Sequence, residues 1–221
     1  GFEAAQNVFG KKSICTGNPI RSQFGQLSKA EAFQALGLTH WDVSKKVILI
    51  IGGSQGAKKI NDAILQCHHQ LASQFGVQII HQTGEKLFAE ASQFFPEKTP
   101  PDYYHMAPFF ENMASVYATA DIVIGRSGAM SLSEIYASGL PSILIPYPYA
   151  TADHQRKNAE TSVRAGASEV ILDKALTADK LYDALNLLLS NTEKYNAMSQ
   201  ASQLLAKKHA TQDIVTLIKS T

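Results

Sequence analysis

Two glycine-containing turns carry the residues best suited to hold an anion. The first, Gly52-Gly53-Ser54-Gln55-Gly56, follows the apolar run Val47 to Ile51. The second, Arg126-Ser127-Gly128, follows Ile122 to Ile124 and leads into Ala129-Met130-Ser131-Leu132-Ser133-Glu134. A turn from a strand into a helix aims unpaired N–H groups and the positive end of the helix dipole at the space beyond the sheet, a good seat for phosphate. One such turn is weak evidence, because glycines also let a helix pack closely on a strand. Two on one sheet point to a ligand with paired phosphates.

Other polar residues have a chemical reading and a plain structural one. Ser54 could donate its hydroxyl to a phosphate oxygen, or simply cap a helix. Ser131 and Glu134 have the spacing of a capping box, so Glu134 either satisfies its own helix start or accepts hydrogen bonds from ribose hydroxyls. Asp153 has the type and place of an N-cap. Gln155 and Asn158 lie on one helical face, and their amides suit sugar hydroxyls or plain solvent.

These residues need a scaffold, and its pattern is regular. Strands are expected at 46–51, 77–81, 103–108, 121–125, 142–146 and 169–172, with a further one at 13–16. Helices are expected at 28–36, 57–75, 85–93, 112–119, 130–138, 153–165, 177–189 and 192–209, with a last amphipathic stretch at 212–219. Short apolar strands alternating with helices predict an α/β fold: a Rossmann-like parallel sheet with helices on both faces.

Composition excludes several classes. The chain has 221 residues, 45% of them apolar, and a formal net charge of +1. Its basic residues are scattered, so no nucleic acid is expected as partner. No apolar run is long enough to cross a membrane as a helix. No secretory leader pattern opens the sequence. Two cysteines, Cys15 and Cys67, form no CxxC pair and suit a reducing compartment. Neither GxGxxG nor GxxxxGK[ST] occurs, which counts against a dinucleotide enzyme and a P-loop NTPase. There is no HExxH, no GxSxG and no Asp-x-Asp, so no metal and no cofactor are expected. A diphosphate would then be neutralised by helix ends and by basic residues such as Arg21. The sequence begins at Gly1 and enters in mid-pattern, which suggests a piece of a longer protein.

The motifs, taken in order, resemble the MurG family, the N-acetylglucosaminyltransferases that complete lipid II in bacterial cell-wall synthesis. The matching residues are Thr16 to Arg21 (TGNPIR), Gly52 to Ala57 (GGSQGA), His81 to Gly84 (HQTG) and Phe110 to Met113 (FENM). Arg126 to Ala129 (RSGA), Ser133-Glu134, Asp153-His154-Gln155 and Asn158-Ala159 complete the set. The resemblance implies the C-terminal, donor-binding half of a GT-B glycosyltransferase. On that basis residues 1–20 would be the end of a missing N-terminal domain plus hinge, 21–191 the nucleotide-binding domain, and 192–221 helices that return to the missing domain.

It also implies roles. Arg21 and Ser54 would approach the donor diphosphate, and Phe110 would offer backbone groups to uracil. Ala129, Met130, Ser131, Leu132, Ser133 and Glu134 would hold diphosphate and ribose, with Glu134 on the ribose hydroxyls. Gln155, assisted by Asn158, would read the GlcNAc of UDP-GlcNAc. The acceptor, lipid I, and the general base would belong to the missing half, so no catalytic residue is assigned. The parent would work as a peripheral protein on the cytoplasmic face of the bacterial plasma membrane. Two alternatives stay open: the donor half of another GT-B UDP-sugar:lipid transferase, and a non-catalytic interaction domain.

Overall fold

The computed structural model describes residues 14–53 and 55–220. Six strands, β1 (Val47–Ile51), β2 (Gln78–Gln82), β3 (Tyr104–Ala107), β4 (Ile122–Gly125), β5 (Ser142–Leu144) and β6 (Ser168–Val170), form one sheet in the order β3-β2-β1-β4-β5-β6. Every pairing is parallel. Helix α1 (Lys29–Ala35) precedes β1, and between the strands run α2 (Lys58–Phe75), α3 (Phe88–Ser92), α4 (Met113–Thr119), α5 (Ala129–Ala137) and α6 (His154–Arg164). Helices α7 (Ala178–Ser190), α8 (Thr192–Leu205) and α9 (Ala210–Ser220) follow β6.

The expected fold class is therefore the observed one, and its cause is visible in β1. All five residues of VILII are buried, and alternate ones serve opposite layers. Ile48 and Ile50 pack with Ile60, Ile64 and Leu71 of α2 and with Leu181, Leu185 and Leu188 of α7. Val47, Leu49 and Ile51 pack with Phe33, Trp41, Tyr117, Leu132 and Ile135. Fully burying each such side chain contributes roughly 1.5–3 kcal/mol.

The chain leaves β1 toward β2 and β3, then returns to place β4 on the other side of β1. Strand order reverses there, and a crevice opens beyond the carboxyl ends of β1 and β4.

Three expectations are corrected. No strand forms at 14–16, where Ile14 is largely exposed and no ladder is made; Ser13, the first residue of that expected strand, lies outside the described residues. Strand β5 stops at Leu144 rather than 146. The Ile145 N–H still reaches the Gly125 carbonyl at 2.8 Å, but Pro146 has no N–H with which to continue the ladder. The helix expected over 192–209 ends at Leu205, and α9 begins separately at Ala210.

Candidate functional site

The crevice at the strand reversal is a cavity of about 470 Å³. Gly52, Gly53, Gln55 and Gly56 line it from the loop after β1, and Gly125, Arg126, Gly128 and Ser131 line it from β4 and the start of α5. Tyr117, Tyr147 and Gln155 close its remaining sides. Ser54 falls within the first loop but lies outside the described residues.

Both helices that start here are open at their amino ends. Gly128 is the N-cap of α5 and Ala57 that of α2, and neither start receives a side-chain cap. Leu132 is the first α5 residue whose N–H returns to Gly128, at 3.0 Å. The N–H groups of Ala129, Met130 and Ser131 therefore precede the intrahelical ladder and point out of the helix start. Such an end carries about half a positive charge.

This geometry overturns the capping-box reading of Ser131 and Glu134. Both lie inside α5, with the cap three residues before Ser131. Glu134 is half-buried, and burial pushes its carboxyl above the ordinary glutamate range; the neighbouring Tyr117 hydroxyl and the charge of Arg21 pull the other way. Arg21, itself exposed, is thus brought to the same neighbourhood as Glu134.

The remaining α5 candidates divide. Met130 is exposed. Leu132 is fully buried in the core, so neither its side chain nor its N–H is available to a ligand. The Ser133 hydroxyl donates to the Ala129 carbonyl at 2.9 Å and accepts from the Asn18 amide, also at 2.9 Å. Asn18 reaches the Ala129 carbonyl as well, at 3.2 Å, which ties the TGNPIR segment to the first turn of α5.

Gln155 and Asn158 both face the Arg126–Gly128 turn. The Gln155 side-chain oxygen accepts the Tyr147 N–H at 3.0 Å, and its backbone carbonyl accepts the Ser127 hydroxyl at 2.8 Å. The Asn158 amide donates to the Ser127 carbonyl at 3.1 Å. Asn158 therefore braces the turn, while Gln155 lines the cavity. Asp153 occupies the N-cap position of α6, but its backbone is left-handed, at φ 54°, and its side chain makes no cap bond.

Phe110 lies after β3, away from this wall. It is buried, its N–H donates to the Gln82 side-chain oxygen at 3.0 Å, and its ring lies 5.6 Å from that of His105. The N–H expected to face a base is thus engaged within the protein.

Arg126 was not singled out from sequence as a site residue, yet it organises the rim. Its Nη1 donates to Asp173 at 2.8 Å and to the carbonyls of Ile145 and Pro146 at 3.0 and 3.3 Å. Its guanidinium also stands 5.5 Å from the Tyr147 ring centre. Burial pushes the Asp173 carboxyl up, but hydrogen bonds from Arg126 and Lys59 outweigh it and hold that carboxyl below the ordinary aspartate range. The sequence showed Arg126 only as the first residue of a turn and of the RSGA motif; its partner stands 47 residues away.

Among the described residues lining this cavity there is no histidine, cysteine or carboxylate. No group of three or more His, Cys, Asp or Glu residues is placed to share a metal ion among the described residues. The arrangement is one for binding an anion with an attached polar body.

Comparison with known proteins agrees with this reading of the fold. The glycosyltransferase family 28 C-terminal domain matches residues 47–216. The UDP-N-acetylglucosamine–N-acetylmuramyl-(pentapeptide) pyrophosphoryl-undecaprenol N-acetylglucosamine transferase of Halothermothrix orenii is 42% identical over 228 residues, covering 100% of this chain and 61% of that protein. The protein of the same name from Acetivibrio thermocellus is 37% identical, covering 99% of this chain and 58% of the relative. The crystal structure of Acinetobacter baumannii MurG superposes with a TM-score of 0.74 at 25% identity, covering 100% of this chain and 64% of that one. A putative UDP-N-acetylglucosamine 2-epimerase from Listeria monocytogenes shares the fold, with a TM-score of 0.71 at 14% identity. The chain spans about 60% of the length of the curated relatives it matches. With residues 47–216 matched and relatives 42% and 37% identical along this chain, it belongs to the glycosyltransferase family 28 C-terminal domain family.

Proposed function

We propose that this chain is the donor-binding part of an inverting glycosyltransferase that moves GlcNAc from UDP-GlcNAc to undecaprenyl-diphospho-muramoylpentapeptide. The observation that carries the proposal is the pair of uncapped helix starts at the strand reversal, beside one cavity of about 470 Å³. Curated relatives named for that reaction support the choice of donor and acceptor.

In this reading the open N–H groups of Ala129 to Ser131 hold the diphosphate, with the loop containing Ser54 opposite and Arg21 adding charge. Glu134 accepts from the ribose hydroxyls. The Gln155 amide nitrogen meets a GlcNAc hydroxyl, and Asn158 keeps the Ser127 turn in place for it. Phe110 offers its backbone to uracil, and Gln82 must yield the N–H for that contact to form. As the glycosidic bond to UDP breaks, negative charge grows on the leaving diphosphate, where the helix dipoles stabilise it. Deprotonation of the acceptor hydroxyl is assigned to a second domain, which residues 1–20 would join to this one and to which 192–221 would return. Lipid I would be met through that domain, at the cytoplasmic face of the bacterial plasma membrane. Among the described residues no helix is long and apolar enough to cross a membrane, in keeping with a peripheral parent.

Calorimetric titration with UDP-GlcNAc tests the proposal. Saturable heat is expected, with weaker responses to UDP-glucose and UDP-galactose. No heat at millimolar donor, together with a melting temperature unmoved by UDP, would favour a partner-docking domain that uses no nucleotide.

A further inference from the structure

The HQTG motif enters the contacts above only through Gln82, yet its first residue is a fully buried polar side chain near the glycine loop. His81, on β2, is 0% exposed. Its Nε2 lies 3.0 Å from the Asn61 side-chain oxygen, and its Nδ1 lies 2.8 Å from the Tyr104 hydroxyl. The Asn61 amide nitrogen donates to the Thr83 carbonyl at 3.0 Å.

That last bond fixes every proton in the set. With the Asn61 nitrogen on a carbonyl, its oxygen faces His81, so His81 carries its proton on Nε2. Nδ1 is then an acceptor and takes the Tyr104 O–H. Burial pushes His81 down to about 3 and Tyr104 well above the tyrosine range, so both stay neutral.

The surroundings are apolar. Ile79, two residues earlier on the same face of β2, packs with Ile48, Ile50, Ile60 and Ile64. A satisfied polar trio in such a layer adds little net stability over an apolar filling, but it fixes orientation. What it orients is the turn at Thr83 and Gly84. A Cβ on Gly56 would lie 2.1 Å from the Thr83 oxygen, and one on Gly84 would lie 2.3 Å from the Gly56 nitrogen. The backbone of the glycine loop therefore rests directly on the carbonyl that Asn61 holds. Asn61 itself is on the first turn of α2, the helix that this loop opens.

We propose that Asn61, His81 and Tyr104 are positioning residues that fix Gly56, where the glycine loop enters α2, and through it the grip on the donor's diphosphate. The inference rests on the donor-binding reading above.

The test compares UDP with uridine by calorimetry on the full 221-residue chain, well below the melting temperature of each variant. Asn61→Leu is expected to weaken UDP about tenfold, the loss of one well-placed hydrogen bond, and to leave uridine within about twofold. His81→Gln retains a donor toward Asn61 and is expected to keep UDP affinity, whereas His81→Leu loses it. If either leucine variant fails to fold, Tyr104→Phe carries the same ratio: a selective loss of UDP supports the network, and no selective loss overturns it. Unchanged UDP affinity alongside a lowered melting temperature would reduce the trio to a stabilising role and overturn the proposal. Equal weakening of UDP and uridine would overturn it as well. An unaltered chain that binds no UDP would overturn the donor reading together with the network, so the two failures are distinct.

Discussion

Arg126 and Asp173 meet at 2.8 Å, bridging the connections that follow β4 and β6. Both side chains are mostly buried, at 15% and 11% exposure, and Lys59 of α2 adds a second cation to the same carboxylate at 3.2 Å. The connections that frame the cavity are thereby held to one another and not only to the strands beneath them.

Removing the arginine should be felt as lost stability. Arg126→Ala is expected to destabilise the chain by about 2–3 kcal/mol in urea denaturation. This is the low side for a broken buried pair, because Lys59 remains to balance Asp173. A change below about 0.5 kcal/mol, the range of an unimportant surface substitution, would mean the bridge carries no load.

The same pair predicts an acid dependence. The Asp173 carboxyl is held below its ordinary value in the folded chain. Its contribution is present above the unfolded aspartate pKa, near 4, and is lost as pH falls through the lower folded value. Melting temperature should therefore drop as pH falls below about 4, more steeply in the parent than in Asp173→Asn. Parallel curves for the two proteins would contradict this assignment.

Glu134 should behave in the opposite sense. Burial raises its pKa, so ionising it opposes folding above the ordinary glutamate value. Glu134→Gln is expected to leave the melting temperature at pH 7 unchanged or slightly higher while weakening UDP about tenfold. The unaltered chain should also prefer UDP to 2′-deoxy-UDP, and the variant should not. If the variant keeps the preference, another group reads the ribose.

Gln155→Glu separates the two jobs of that side chain. A carboxylate still accepts the Tyr147 N–H but has no N–H of its own. The added negative charge should weaken both ligands through repulsion of the diphosphate, and UDP-GlcNAc should in addition lose whatever advantage it has over UDP. Equal loss for both ligands would place Gln155 on the nucleotide instead of the sugar.

The sequence made some of this legible and hid the rest for identifiable reasons. Runs such as Val47 to Ile51 and Ile122 to Ile124 can be little other than strands buried on both faces, and the parallel sheet follows from their alternation with helices. Family and fold were readable because several short motifs keep their order. The cap bond expected of Asp153 and the cap position expected of Ser131 failed because a cap depends on one backbone angle and one helix boundary, which residue type alone does not fix. The Arg126–Asp173 bridge and the Asn61–His81–Tyr104 set were hidden because their members come together only when segments distant in sequence assemble on one sheet. The expected strand at 13–16 rested on local propensity, and among the described residues 14–16 it found no neighbouring ladder.

In a sheet whose six strands all run the same way, every strand delivers its outgoing connection to one rim. The apolar layers determine whether the protein folds, and the rim determines what it holds. If the proposed donor site is right, ligand preference is modular: exchanging the stretch from Tyr147 to Asn158 for that of a homologue with another sugar is expected to alter selectivity while the interior goes on folding by the same rules.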